Sequence, residues 1–311
     1  MGNLAGLYQR QGRDDEAERL YVKTLEMTKR VLGEEHPDTL VFMSKLADLY
    51  ANSARYAEAE PLVVTTLQIQ KRALGDVHTD TLASMSTLAG LYRNQRRYDV
   101  AEPVYLQTLE IMKRVLGEEH PDTLRTTSNL ALLYANQDAN DEAEPLYVET
   151  LEIMKRVLGE EHPDTLWSMS NLANLYGRQG RMNDARPLVR AVQEIQRTRA
   201  DRPGASARDK NICAWNLLTC DPPDLRDPET ALRLAGEASA MSNHTNPGIL
   251  DTLALAQHLT GETAAAIETE EKALSLLPAA AAVWRGDFEA ALAKFEAALE
   301  QKKESQTVEN R

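Results

Sequence analysis

The sequence predicts an all-α fold in which antiparallel helix pairs stack side by side into an α-solenoid. Three observations support this prediction. Within each unit the apolar residues follow the spacing of a helix face. A glycine closes each long helix, at Gly33, Gly75, Gly117 and Gly159. Above all, the pattern Leu-Ala-x-x-Tyr returns every 42 residues, starting at Leu4, Leu46, Leu88, Leu130 and Leu172. A fixed period of this length is typical of arrays whose units pack on their neighbours.

The composition narrows the class of protein. The chain has 311 residues, 42% of them apolar, and a net charge of −13. Such a charge disfavours nucleic acid and anionic membrane surfaces as partners. No apolar run is long enough to span a membrane, and the first residues lack the features of an export signal. We therefore expect a protein of the bacterial cytoplasm.

The fourth unit shows how each helix pair is built. Helix A is predicted from Pro121 to Gln137, because proline and the acidic Asp122 suit the first turn of a helix. Helix B is predicted to end near Leu158, where Gly159 supplies a left-handed residue. Each B helix also contains a proline about one and a half turns from its start, so we expect a bend there unless the helix begins later. These prolines are Pro61, Pro103, Pro145 and Pro187.

Small and large residues recur in fixed columns. Two alanine columns, represented by Ala131 and Ala143, are expected where helix A approaches helix B most closely. The tyrosines, such as Tyr134 and Tyr147, are expected to fill the space between helices. Both columns therefore predict a buried core in every unit.

These motifs resemble the tetratricopeptide repeats of the kinesin light chain type. The resemblance rests on Leu-Ala-x-x-Tyr, on Ala-Glu-Pro-Leu at 143–146, on Lys-Arg-x-Leu-Gly and on His-Pro-Asp-Thr-Leu, and it covers residues 1–200. It implies a superhelix of helix pairs with an inner groove lined mainly by A helices. We expect five 42-residue repeats in 1–200. The first is truncated, with residues 1–6 frayed and the chain part of a longer polypeptide.

Residues 201–311 are predicted to form shorter, degenerate tetratricopeptide-like helix pairs and a terminal helix. The expected helices cover roughly 207–219, 228–242, 247–260, 262–277 and 280–302. The segments 214–218, 226–228 and 250–254 resemble the C-terminal repeat region of bacterial serine/threonine kinases, over about residues 208–280. The chain contains no kinase signature of its own.

No pattern in the chain predicts chemistry. Phosphate-binding loops and the usual hydrolase and metalloprotease motifs are missing from the sequence. The histidines of the His-Pro-Asp triplets lie a whole unit apart, so they are interpreted as repeat punctuation. Cys213 and Cys220 are interpreted as buried apolar groups. We predict no catalytic residues, no metal, no cofactor and no enzymatic activity.

Two columns of the A helices are the candidate peptide-binding residues. One column precedes Leu-Ala and contains Asn3, Asn129 and Asn171, with Lys45 and Thr87 in place of asparagine in the other units. The second follows the tyrosine by two positions and contains Asn52, Asn94, Asn136 and Arg178. Amide side chains both donate and accept, so they can pair with an extended peptide backbone. The resemblance implies that Asn3, Asn129 and Asn171 contact cargo peptides. The alternative is that asparagine is tolerated on a hydrated helix face.

The leading hypothesis is a non-catalytic protein–protein interaction scaffold that binds an extended peptide or a helix of an unidentified partner in a concave groove. The alternative hypothesis is the regulatory or substrate-docking tail of a bacterial serine/threonine kinase whose catalytic domain lies outside this chain. Weak self-association through the N-terminal repeat is a third hypothesis.

Overall fold

The computed structural model describes residues 2–10, 13–53, 55–277 and 282–309. Within these residues the chain forms fifteen α-helices and one 3₁₀ turn at Pro223–Leu225, and no strand. The helices are α1 Gly2–Arg10, α2 Asp14–Leu32, α3 Pro37–Asn52, α4 Tyr56–Leu74, α5 Thr79–Asn94, α6 Tyr98–Val115, α7 Pro121–Asn136, α8 Asn140–Val157, α9 Pro163–Arg178, α10 Met182–Ala200, α11 Ala207–Thr219, α12 Pro228–Met241, α13 Pro247–Leu259, α14 Thr263–Leu276 and α15 Ala282–Glu309. The predicted all-α fold is confirmed.

Helices α3 to α8 alternate as A and B helices, as predicted. Each A helix from α3 onward has 16 residues. It packs on the B helix that follows it, and that B helix packs on the next A helix. Helix α1 has nine residues, which agrees with a shortened first repeat. The expected fraying is wrong for residues 2–6, because α1 begins at Gly2 and Ala5 is fully buried; Met1 lies outside the described residues.

The His-Pro-Asp triplets start the A helices by a specific cap. In α7 the Nδ1 atom of His120 accepts a hydrogen bond from the backbone N–H of Asp122 at 3.2 Å. The same bond, at the same length, joins His36 to Asp38, His78 to Asp80 and His162 to Asp164. A side-chain acceptor at this position satisfies one of the N–H groups that the first turn leaves unpaired. The triplet is therefore a helix start, as predicted.

Glycine ends the B helices because no other residue suits the backbone there. Gly75 has φ 87° and ψ 167°. This region of the backbone map is essentially restricted to glycine. Gly33, Gly117 and Gly159 also have positive φ.

The predicted packing columns form the core. In the A helices Ala47, Ala89 and Ala131 are at most 1% exposed, and in the B helices Ala59, Ala101 and Ala143 are 0% exposed. The larger residues between them include Tyr105 and Tyr147, which are also fully buried. The small side chains thus allow close approach of the helices while tyrosine fills the remaining space.

The prolines lie inside continuous helices. Helix α4 begins at Tyr56, five residues before Pro61, so the alternative of a later helix start is wrong. The helix continues through the proline without interruption. All four proline side chains are exposed. The carbonyl four residues earlier, which loses its helical partner, can therefore be hydrated.

Adjacent helix pairs are tied by a repeated contact of arginine, tyrosine and glutamate. In the second unit the guanidinium of Arg55 lies 4.2 Å from the ring centre of Tyr50. Arg55 also donates to Glu18 of the preceding B helix and to Glu58 of its own. Arg97 and Arg181 stack in the same way on Tyr92 and Tyr176 and bind Glu60 and Glu144. Each contact combines a cation–π interaction with ion pairing between neighbouring units.

The chain divides into two compact units, Met1–Ala5 with Glu16–Leu188 and Gly6–Asp15 with Val189–Arg311. In the second unit α11 to α15 pack consecutively, each on the next. The five helices expected after residue 201 are confirmed, although the last ends at Glu309 rather than near residue 302. The change from long to short repeats at residue 200 stays a prediction. Cys213 is buried as expected and burial raises its pKa to about 11, whereas Cys220 is half-buried.

Candidate functional site

One face of each A helix from α3 to α9 remains outside the core. In α7 this face contains Arg125, Asn129, Leu132 and Asn136, which are four, three and four residues apart and therefore lie along one side of the helix. None of them is buried. We call this surface, with its equivalents, the A face. The other members are Val41, Lys45, Asp48 and Asn52 in α3, Ala83, Thr87, Gly90 and Asn94 in α5, and Trp167, Asn171, Asn174 and Arg178 in α9, and none of these is buried.

The A helices also contact one another directly. The hydroxyls of Ser86 in α5 and Thr126 in α7 are 3.1 Å apart, and those of Ser128 in α7 and Ser168 in α9 are 3.5 Å apart. Ser128 is fully buried. These hydroxyls therefore join consecutive A helices, so the A faces of α5, α7 and α9 lie side by side.

Several asparagines of the A face have free donors. Arg93 donates to Oδ1 of Asn129 at 2.9 Å and to Oδ1 of Asn94 at 3.1 Å. Within the described residues the Nδ2 groups of Asn94 and Asn129 make no hydrogen bond. The Nδ2 group of Asn171 is buried and has no partner in the described part of the chain either. A buried donor without a partner costs about 1–3 kcal/mol, so a ligand that accepts from it gains stability.

Three of the seven predicted site residues meet in a cleft of about 480 Å³. Asn94, Asn136 and Arg178 are each the last residue of an A helix. The remaining lining residues are Tyr56, Arg93, Arg96 and Tyr98. The cleft thus forms where A helices end and B helices begin, and we call it the arginine cleft.

The other predicted residues lie elsewhere. Asn129 is linked to the arginine cleft through its hydrogen bond with Arg93. Asn171 lies on the A face of α9, and Asn52 lies at the end of α3. Asn3 is exposed on the short helix α1. The repeat columns therefore predicted one lip of the cleft and missed Arg93, Arg96, Tyr56 and Tyr98. The departure of the two arginines from the repeat was the available signal.

The described residues offer no sign of a metal centre or a membrane span. Among the residues that the structure describes, no group of three His, Cys, Asp or Glu side chains could hold a metal ion. No helix in the described ranges is both long and apolar enough to cross a membrane.

The fold and the A face define a class of protein, an array of helix pairs with an exposed face across successive pairs. The tetratricopeptide repeat family model matches residues 1–72, 42–114, 80–139 and 122–198. The chain therefore belongs to the tetratricopeptide repeat family. The match ends at residue 198, so the resemblance of residues 208–280 to kinase repeat regions stays a prediction.

Solved structures agree with this assignment. The crystal structure of Podosopora anserina putative kinesin light chain nearly identical TPR-like repeats is 30% identical, with a TM-score of 0.51 over 63% of this chain and 92% of that chain. BtubC (BKLC) from P. vanneervenii is 20% identical, with a TM-score of 0.54 over 80% and 92%. A Rap protein complexed with Competence and Sporulation Factor is 13% identical, with a TM-score of 0.58 over 96% and 74%. The last two are similar in fold alone. No curated protein sequence matches the chain.

Proposed function

We propose that the chain is a non-catalytic scaffold whose A face binds an extended peptide of a partner protein. The observation that supports this most directly is that the fold leaves the same helix face unburied in α3, α5, α7 and α9. Elsewhere in these helices the recurring apolar residues pack into the core. A face that recurs in four successive units and is not used for packing is available to a ligand.

The chemistry of the A face favours an extended backbone as that ligand. An extended peptide presents N–H and C=O groups alternately to each side. Asn129 and Asn171 offer Nδ2 donors that no described residue accepts. Such donors can pair with peptide carbonyls regardless of the peptide's side chains, and side-chain pockets then supply specificity. The expected location in a bacterial cytoplasm and self-association through the first repeat stay predictions.

The test uses a peptide selected without bias. A random peptide library displayed on phage is enriched on the immobilised protein, and the best peptide is synthesised with a fluorescent label. Its Kd is then measured by anisotropy for the wild type and for the double variant Asn129→Glu/Asn171→Glu. We expect at least about tenfold weaker binding, because two amide donors become carboxylates that repel peptide carbonyls.

The matched control is Gln68→Glu/Gln107→Glu. Both glutamines lie on B helices and outside the core, and the double change alters the charge by the same amount. Circular dichroism confirms that helix content is unchanged in both variants. If the two double variants bind the peptide equally well, the A face is not the binding surface.

A further inference from the structure

The three arginines of the arginine cleft are all departures from the repeat. At the position of Arg93 the other units have Gln9, Ala51, Ala135 and Gly177. At the position of Arg96 they have Gly12, Ala54, Asp138 and Gly180. Arg178 replaces the asparagine that ends α3, α5 and α7. The packing of the repeat requires none of these arginines, yet all three line one cleft.

Arg96 occupies its position at an energetic cost. Its φ is 60°, in the left-handed region, as in Asp138, also at 60°, and Gly180, at 73°. Glycine, asparagine and aspartate are favoured there, and a long side chain costs roughly 1 kcal/mol. Within the described residues the Arg96 side chain has no hydrogen bond or ion pair that compensates for this cost. An unfavourable backbone with an unpaired cation indicates a role outside the fold itself.

The charge of the cleft is unbalanced. Its lining contains three guanidinium groups and no carboxylate. One of them, Arg178, pairs with Asp138 just outside the lining. The arginines and this carboxylate leave a local charge of about +2, although the whole chain is at −13. A phosphomonoester carries about −1.5 to −2 at pH 7, whereas a single carboxylate carries −1. A phosphoryl group therefore matches the cleft more closely than one acidic side chain.

The donors are oriented before any ligand arrives. Arg93 is held by Asn129 and Asn94, both of which accept through neutral oxygens and leave its charge uncompensated. Planar guanidinium groups bind two phosphoryl oxygens at once, and amide N–H and tyrosine O–H groups can donate to the third. Asn94, Asn136, Tyr56 and Tyr98 provide such groups around the same space.

From these observations we propose that the arginine cleft binds the phosphoryl group of a phosphorylated side chain in a partner peptide. The proposal rests on the proposed function of the A face, since the peptide chain would leave the cleft along α5, α7 and α9. Recognition would then have two parts, with asparagines pairing to the backbone and arginines selecting the modified residue.

The probe is the pentapeptide Ala-Ala-phosphoserine-Ala-Ala, acetylated and amidated, titrated into isotope-labelled protein. Peptides with serine or glutamate at the centre, and inorganic phosphate alone, are compared with it. Binding is followed by the NMR signals of the Asn94 and Asn136 side-chain amides and of the arginine Nε–H groups. We expect the phosphoserine peptide to bind about tenfold more tightly than the glutamate peptide, and the serine peptide to cause no shift.

Two variants locate the site. Arg93→Gln/Arg96→Gln should reduce the affinity for the phosphoserine peptide at least tenfold. Arg30→Gln/Arg114→Gln removes the same charge from exposed positions on B helices and should leave it unchanged. Equal affinity for the phosphoserine and glutamate peptides, or for phosphate and the phosphoserine peptide, would overturn the proposal. So would unchanged binding by the cleft variant.

These outcomes are independent of the test of the A face. Without a preference for phosphoserine, and with the peptide from phage display still dependent on Asn129 and Asn171, the cleft proposal fails and the proposed function stands. Loss of the Asn129 and Asn171 effect contradicts the proposed function itself.

Discussion

The hydroxyl of Tyr134 donates to Oε1 of Glu102 at 3.0 Å, and this bond joins α7 to the preceding B helix without an arginine above the ring. In the second, third and fifth units an arginine stacks on the equivalent tyrosine and binds the equivalent glutamate. The fourth unit has Ala139 at that position. The Glu102 carboxylate therefore lacks the cation that its equivalents have.

Ala139→Arg should complete this contact and stabilise the protein by about 0.5–1 kcal/mol, from a cation–π interaction and a partly exposed ion pair. The backbone is already suitable, since Ala139 has φ −78° and ψ 67° while Arg97 has φ −87° and ψ 63°. The measurement is the urea midpoint at low salt. Ala139→Gln provides similar length without charge and should give less than half the gain. Equal gains for the two variants would show that the contact is not responsible.

His120→Ala should destabilise the protein by about 1 kcal/mol, because the N–H of Asp122 loses its acceptor. His120→Asn should restore most of this loss, since asparagine is a favoured cap. Urea denaturation of both variants measures the difference. If alanine and asparagine are equally destabilising, the imidazole acts through contacts other than the 3.2 Å hydrogen bond.

Glu270 should make stability depend on pH. Its side chain is 0% exposed, and neither carboxylate oxygen has a hydrogen-bond partner in the described residues. Burial, with a smaller contribution from the negative charge of Asp251, raises the pKa of Glu270 from 4.5 to about 8. Burial and then the charge of Asp287 raise the pKa of Asp251 to about 6. The folded state therefore holds protons that the unfolded chain has released.

Stability is consequently greatest below about pH 4.5 as far as Glu270 is concerned, and it falls as pH rises through 8. Glu270→Gln keeps the neutral shape and should remove this fall, which makes the variant more stable than the wild type by about 3 kcal/mol at pH 9. Urea midpoints from pH 5 to 9 test this. Glu271→Gln, at the exposed neighbouring position, should leave the pH profile unchanged. A wild-type profile that stays flat would contradict the argument.

The repeat explains why the fold could be predicted and the site only in part. Helix α7 runs from Pro121 to Asn136, one residue short of the prediction, because caps and core columns are local and recur in each unit. Asn94, Asn136 and Arg178 could be predicted because they share a column. Arg93 and Arg96 could not, because a repeat pattern reveals what recurs and these residues are exceptions to it. Their convergence with Arg178 also depends on how the ends of α5, α7 and α9 approach each other, which no single unit encodes.

Two glycines should respond in opposite ways to the same change. Gly236 lies inside α12 with no atom within 4 Å of the place that an alanine methyl group would take, so Gly236→Ala should stabilise by about 0.5–1 kcal/mol through reduced entropy of the unfolded chain. Gly75 also has open space, but its φ of 87° and ψ of 167° are unfavourable for alanine. Gly75→Ala should therefore destabilise by about 1–3 kcal/mol. Urea midpoints of the two variants separate backbone strain from steric conflict. A loss at both positions would show that crowding, rather than backbone conformation, decides the outcome.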